Sequence, residues 1–305
     1  MASLFGAGQL LRGKVNRYTI TKQIHECLWL AMTASDQTVV IKSVRHFRLD
    51  TERVALKRFQ SRSSVIRPLI DEIEDPSDPP ALVLKHLDDD LFNAAAAKRL
   101  TTSEIKLVAK RVLEGLNVIH EDGYVHTDIK LDNILVNYAQ GSSRFAEIQL
   151  TDLGNTVRAD SKWAKECDMI GAPVWRSPEA QLQIGWGSPT DIRSFGTVRD
   201  NWLIFKPHVP FGHDHYEIKI VMKNHQFFGP FPLRYRELVD EEMLEVITYI
   251  MNGVPLETMK PFRRVGEKEI SKEDKEFVCR VMKMDPRDRP TAKELLEDEW
   301  FEGVE

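Results

Sequence analysis

The sequence is poor in cysteine, has no long apolar run and has no large excess of either charge. Cys27, Cys167 and Cys279 are the only cysteines among 305 residues, and no two form a C-x-x-C pair. That scarcity argues against a disulfide framework or a thiolate metal site, and it favours a reducing, intracellular setting, cytoplasm or nucleus. No uncharged stretch approaches the roughly 20 apolar residues of a membrane span, so no membrane partner is expected. The opening Met-Ala-Ser-Leu-Phe-Gly-Ala-Gly breaks its apolar residues with glycine and lacks the order of a secretory signal. Lys and Arg number 42 against 47 Asp and Glu, a net charge of −5, which argues against a general nucleic-acid binder. What is present, 42% hydrophobic and 29% charged residues, suits one large folded domain or two modest ones.

The periodicity changes along the chain. From Tyr18 to about Lys85, short β-like pieces surround one helix. Tyr18-Thr-Ile-Thr, Cys27-Leu-Trp-Leu-Ala and Thr38-Val-Val-Ile-Lys-Ser-Val44 read as strands. Asp50 to Phe59 reads as a helix with Asp50 at its cap, and Ala81-Leu-Val-Leu84 as a buried strand after an acidic, proline-rich loop. Beyond Leu87 helices dominate. Ile105, Val108, Ala109, Val112, Leu116 and Ile119 make a helical stripe over Thr102–His120, and 240–251 and 271–284 are similar. A small β-rich lobe joined near 85–88 to a larger helical lobe is the coarse architecture, an α+β fold.

The stretch richest in chemistry is Tyr124-Val-His-Thr-Asp-Ile-Lys-Leu-Asp-Asn-Ile-Leu-Val136, a polar centre between apolar flanks that read as two short strands. Asp128 and Lys130 are two residues apart, and Asn133 follows Asp128 by five. Twenty-four residues after Asp128 comes Asp152-Leu-Gly154. Then follow Gly171-Ala-Pro-Val-Trp-Arg-Ser-Pro-Glu179, Asp191-Ile-Arg-Ser-Phe-Gly196 and a late Arg289. Upstream stands Val39-Val-Ile-Lys42, with Glu52 ten residues on.

In this order the segments resemble the protein-kinase motifs V-A-I-K, H-R-D-x-K-x-x-N, D-F-G, A-P-E and D-x-W-S-x-G. The resemblance covers about residues 16–302 and is of the eukaryotic Ser/Thr type, since Lys130 stands two after the Asp. Gln226-Phe-Phe-Gly-Pro-Phe-Pro232 and Leu295-Leu-Glu-Asp-Glu-Trp-Phe301 look like a group of fungal kinase-like proteins distantly related to SR-protein and cyclin-dependent kinases. It implies a bilobal protein-kinase-like fold, with a flexible arm over 1–15, a small β-rich N-lobe over 16–87 and a larger helical C-lobe over 88–302. ATP and Mg²⁺ are the implied cofactors, and proteins bearing Ser or Thr the implied substrates; no oligomeric state is implied.

The same resemblance assigns roles. Asp128 would accept the proton of the attacking hydroxyl, and Lys130 would steady the transferred charge. Lys42, paired with Glu52, would hold the α- and β-phosphates, while Asn133 and Asp152 would hold Mg²⁺. Leu84 would shape the adenine pocket, with backbone groups of Lys85 to Leu87 reaching the base. Glu179 and Arg289 would form a buried structural pair.

Several positions depart from the pattern. No glycine-rich loop stands between Tyr18 and Lys42, where the chain reads Gln23-Ile-His-Glu-Cys-Leu-Trp-Leu-Ala31. Such a loop lets backbone amides approach phosphate closely, so a weaker phosphate grip is expected. Gly8-Gln-Leu-Leu-Arg-Gly-Lys-Val15 nearly spells another phosphate loop, but Val15 lacks the hydroxyl that Mg²⁺ needs. Thr127 replaces the Arg that gathers a phosphorylated activation loop, and Ala172 replaces a Thr. Arg193 replaces a Trp, and Arg199, Asp200 and Asn201 fall where a buried helix is expected to be apolar. These departures keep a second expectation open beside catalysis: a pseudokinase, an interaction or allosteric module retaining the fold. A kinase acting on small molecules is a third.

Overall fold

Residues 4–141, 143–198 and 203–304 are described by a computed structural model. In chain order the elements are β1 (Leu10–Gly13), β2 (Arg17–His25), β3 (Leu28–Thr33), β4 (Thr38–Ser43), α1 (Phe47–Phe59), β5 (Leu69–Asp75), β6 (Ala81–Lys85), β7 (Asp89–Asp90), α2 (Leu91–Ala97), α3 (Thr102–Glu121) and β8 (Tyr124–Val125). There follow β9 (Ile134–Tyr138), β10 (Phe145–Leu150), β11 (Val157–Arg158), α4 (Lys162–Lys165), α5 (Pro178–Gln181), α6 (Ser188–Phe195), α7 (Tyr216–Phe228), α8 (Glu241–Asn252), α9 (Lys272–Val281) and α10 (Ala292–Leu296). The β-rich N-terminal part and the larger helical remainder make the bilobal, kinase-like architecture the sequence implies. The chain divides into two compact units, Met1–Leu91 with Asn133–Thr156, and Phe92–Asp132 with Val157–Glu305.

The first unit is built on a closed barrel in the order β1-β2-β3-β4-β6-β5. Inward positions of alternating strands, Tyr18, Ile20, Trp29, Ile41 and Val83, fill it and are almost wholly buried. Leu10–Gly13 is the closing strand, paired with β2 through Leu11↔Tyr18 and with β5 through Gly13↔Ile73. Phe5 packs edge-on against Trp29 with ring centroids 5.1 Å apart. The expected flexible arm over 1–15 is therefore corrected from residue 4 onward: its apolar residues complete the barrel and remove two open sheet edges.

The turn after β1 also accounts for the near-match to a phosphate loop. The backbone N–H groups of Lys14, Val15 and Asn16 donate to the carboxylate of Asp71 at 3.1, 3.0 and 3.0 Å, and Tyr18 Oη adds a fourth bond at 2.9 Å. An internal carboxylate thus fills the nest of amides, and it holds Asp71 below the usual carboxylate range against the opposing effect of burial. Between β2 and β3 only Glu26 and Cys27 turn the chain, and Gln23 Nε2 donates to the carbonyls of His25 and Glu26 at 3.1 and 3.3 Å. The helix α1 starts earlier than Asp50: His46 caps it, and Asp50 lies within its first turn.

The flanks of the polar stretch 126–133 are strands, as the sequence suggests, but they do not pair with each other. In the first unit β9 lies between β10 and β7, whereas in the second β8 pairs with β11. There α3 begins with reciprocal Thr101–Glu104 capping bonds and buries the predicted stripe from Ile105 to Ile119. α7 and α8 share an apolar cluster around Val221, Tyr235, Ile247 and Ile250. α6 ends at Phe195, capped by Gly196; the Arg199, Asp200 and Asn201 singled out above lie outside the described residues. Among the described residues no helix is long and apolar enough to cross a membrane.

Candidate active site

In the first unit the strand β4 delivers Lys42 and the helix α1 delivers Glu52, whose carboxylate is almost wholly buried. Lys42 Nζ lies 2.7 Å from Glu52 Oε2 and 2.9 Å from Asp152 Oδ1. Among the described residues Glu52 Oε2 has no well-aligned donor despite that distance, so the attraction to Lys42 is chiefly coulombic. Burial pulls the Lys42 ammonium down, but Glu52 and Asp152 outweigh it and keep it above its ordinary value. Burial pushes Glu52 up, opposed first by Lys42 and reinforced by the like charge of Asp152. Leu56, one turn on, is buried.

The D-L-G segment supplies the third charge. Asp152 has a left-handed backbone, φ 58° and ψ 59°, which turns the chain sharply at the end of β10. Leu153 is fully buried. A Cβ at Gly154 would meet Arg48 O at 3.1 Å, so this glycine lets the turn pack against α1. Asn133 heads β9, and its carbonyl accepts Thr151 N at 2.9 Å, next to the Ile134↔Leu150 pair of the ladder. Asn133 and Asp152 therefore stand at the same end of one hairpin.

Sequence reading missed Arg67, which lies on the loop before β5 and is buried in this unit. Its Nε donates to Lys85 O at 2.8 Å and its Nη1 to Thr151 Oγ1 at 3.3 Å. Burial lowers it to about 10, while Glu52 and Asp152 act in the opposite direction, which places a second cation by the acidic pair. Its signal in the sequence was faint, a lone Arg-Pro among polar residues. One lone pair of the Lys85 carbonyl, expected to serve a base, is thus already engaged. Leu84 and Leu87 are buried, and the Lys85 side chain reaches Glu147 at 2.6 Å.

The second unit holds Asp128 and Lys130, whose Oδ2 and Nζ are 3.5 Å apart. A buried carboxylate from α6 fixes the loop that carries them. Asp191 Oδ2 accepts His126 N at 2.7 Å, and Oδ1 accepts Thr127 N at 2.8 Å; His120 Nε2 lies 2.9 Å from Oδ2. His126 Nδ1 in turn accepts Asp128 N at 3.3 Å. Thr127 has φ 71°, and a Cβ at Gly171 would come 2.6 Å from Thr127 O, so the strained loop is seated directly on Gly171.

Arg176, also missed, bonds the carbonyls of Ile170 and Gly171 and reaches Glu217 Oε2 at 3.3 Å. Burial lowers it, with the carboxylates of Glu217 and then Asp128 opposing. The expected pair of Glu179 and Arg289 is present and bidentate, 2.6 and 2.7 Å, with both side chains buried. Backbone carbonyls of Lys283, Met284 and Pro189 take the remaining guanidinium donors. Arg193 is different. It is buried between Phe205 and Phe228, 4.9 and 5.3 Å from their ring centroids, with Met282 Sδ and Asn224 Oδ1 as its acceptors and no partner for Nε among the described residues.

The family description that matches this chain is "Protein kinase domain", over residues 18–301. Among curated relatives, the Serine/threonine-protein kinase shk1/pak1 of Schizosaccharomyces pombe is 27% identical over 203 residues, 65% of this chain and 24% of the relative. Serine/threonine-protein kinase SMU1 of Mycosarcoma maydis is 35% identical over 108 residues, 35% of this chain and 14% of the relative. Serine/threonine-protein kinase STE20 of Saccharomyces cerevisiae is 28% identical over 206 residues, 67% of this chain and 18% of the relative. The fungal likeness is thus to kinases of the STE20 and shk1 kind, and the chain spans about a quarter or less of these three relatives.

Proposed function

We propose, since this chain belongs to the protein kinase family, that it is an ATP- and Mg²⁺-dependent Ser/Thr protein kinase working in cytoplasm or nucleus. The observation that carries the reading is Lys42, held 2.7 Å from Glu52 and 2.9 Å from Asp152. Here Glu52 keeps the lysine charged and aimed, and Lys42 would bind the α- and β-phosphate oxygens. Asp152 and Asn133 offer a carboxylate and an amide oxygen at one hairpin end, hard donors that fit Mg²⁺, which commonly takes few protein ligands. Mg²⁺ and ATP would supply a γ-phosphoryl group whose charge is partly neutralised. Asp128 would position the Ser or Thr hydroxyl and accept its proton, and Lys130 would donate to the developing charge. Asp191, by gripping two consecutive amides of the loop, would hold Asp128 in its working orientation.

A second reading, an interaction module that retains the fold, is favoured by the β2–β3 turn. With only Glu26 and Cys27 between the strands, it offers no glycine whose amide could approach phosphate. Thermal melting separates the two readings. At about 5 mM Mg²⁺-ATP the kinase reading predicts a rise of several degrees that requires the metal and largely disappears in Asp152→Asn. No shift in the unsubstituted chain would favour the module instead.

A further inference from the structure

In the second unit, three elements are tied together beside the Phe228 and Met282 that flank Arg193. Gln226 Nε2 donates to Thr258 O at 2.7 Å, Lys260 N donates to Gln226 O at 3.1 Å, and Lys275 Nζ donates to Val265 O at 3.0 Å. Phe228 stacks on Phe262 with centroids 5.4 Å apart. These contacts join α7, the 258–265 segment and α9 around a cavity of about 250 Å³. Phe227, Phe228, Pro230, Pro232 and Pro261 give it apolar walls.

Cations gather around this cavity. Arg263 and Lys283 line it and are exposed; Lys260 adjoins Pro261, and Lys223 Nζ sits 6.0 Å from the Phe227 ring centroid. None of these four side chains makes an ion pair with a carboxylate among the described residues. The acids in the wall are already taken: Asp285 Oδ2 by Arg287 at 2.7 Å and Arg234 at 3.2 Å, Asp288 by Arg234 at 2.8 Å. Burial, and then the like charge of Lys260, hold the Lys223 ammonium below its ordinary value. In a chain of net charge −5, an unneutralised basic cluster is a local concentration of field that an anion would relieve.

We infer that this face docks an acidic peptide segment of a partner protein, with an apolar side chain of that segment entering the cavity. Charge complementarity selects the acidic flanks, and the Phe and Pro walls select the anchor. The recessed apolar surface argues against a lipid bilayer, which takes a broad protruding apolar face. It also argues against single-stranded nucleic acid, which stacks on open aromatic platforms along a groove. The inference goes beyond phosphotransfer, and binding is measured without turnover, so either can fail while the other stands.

The test uses the full chain and a fluorescent peptide of about twelve residues, Glu and Asp on either side of a central Phe-Leu pair. Anisotropy should report a Kd on the order of 10 µM at low salt, weakening as salt rises. Arg263→Glu combined with Lys283→Glu should weaken it at least tenfold with unchanged melting, since neither side chain is paired with a carboxylate among the described residues. Should that double variant melt early, Lys260→Glu provides the same comparison. Replacing Phe-Leu by Ser-Gly should weaken binding several-fold. No binding at about 1 mM peptide, equal binding by the charge-reversed proteins, or tighter binding of a thymidine oligonucleotide or of phosphatidylserine vesicles at the same residues would each overturn the inference.

Discussion

Replacing Arg193 by methionine should make the protein more stable. A guanidinium keeps its proton in proteins, so the cost of its burial is carried as lost folding stability. The site pushes Arg193 down to about 9, first by burial and then by the like charge of Arg289. Against an ordinary value near 12.5, that corresponds to a penalty of roughly 5 kcal/mol at most. The faces of Phe205 and Phe228 return about 1–2 kcal/mol each. The bonds to Asn224 and Met282 return less, and Nε finds no acceptor among the described residues. Arg193→Met keeps the length, removes the charge and leaves Asn224 Oδ1 without its donor, so the expected net gain is about 1–3 kcal/mol. For a unit of this size that is a rise of roughly 3–9 °C in Tm by differential scanning calorimetry. Adding Asn224→Leu should raise Tm further, because it removes the stranded amide. A lower Tm for Arg193→Met, with the native fold retained, would refute the reasoning and make Arg193 a net stabilising residue.

Two other substitutions probe the second unit. Glu179→Gln weakens a buried bidentate pair and leaves the Arg289 charge uncompensated, so denaturant unfolding should show a loss of about 3 kcal/mol. His225 is buried with Nδ1 unpartnered among the described residues, and burial holds it below its ordinary value. As pH falls from about 6.5 through the folded value, the unfolded chain takes up a proton that the folded chain resists, so stability is lost on acidification. Melting between pH 7.5 and 5.5 should therefore decline more steeply in the unsubstituted protein than in His225→Gln; equal slopes would remove His225 from the account.

Much of the fold could be read from the chain because the strongest signals are local. The stripe from Ile105 to Ile119 predicts α3, and the alternation around Val39–Ser43 predicts β4, since each periodicity must match the face it buries. The polar constellation was legible because its members come in a fixed order, although Glu52, Asp152 and Lys42 meet only through tertiary packing. What was not legible depends on such packing. Leu10–Gly13 looks like an arm until β2 and β5 are present to pair it, and the nest at Lys14 to Asn16 is explained only by Asp71, more than fifty residues away. Arg67 carries no motif, and Arg176 lies in the Gly171–Glu179 segment without a role that the motif assigns; their partners are mostly backbone carbonyls and other side chains brought near by folding.

Transfer of labelled phosphate from Mg²⁺-[γ-³²P]ATP to a Ser-rich protein, measured side by side for the unsubstituted chain and Asp128→Asn, tests the central claim most directly. The kinase account predicts measurable transfer to Ser or Thr and a fall of at least 100-fold in the variant, with Tm essentially unchanged. Equal transfer by both proteins, or none by the unsubstituted chain when Mg²⁺-ATP is shown to bind, would contradict it.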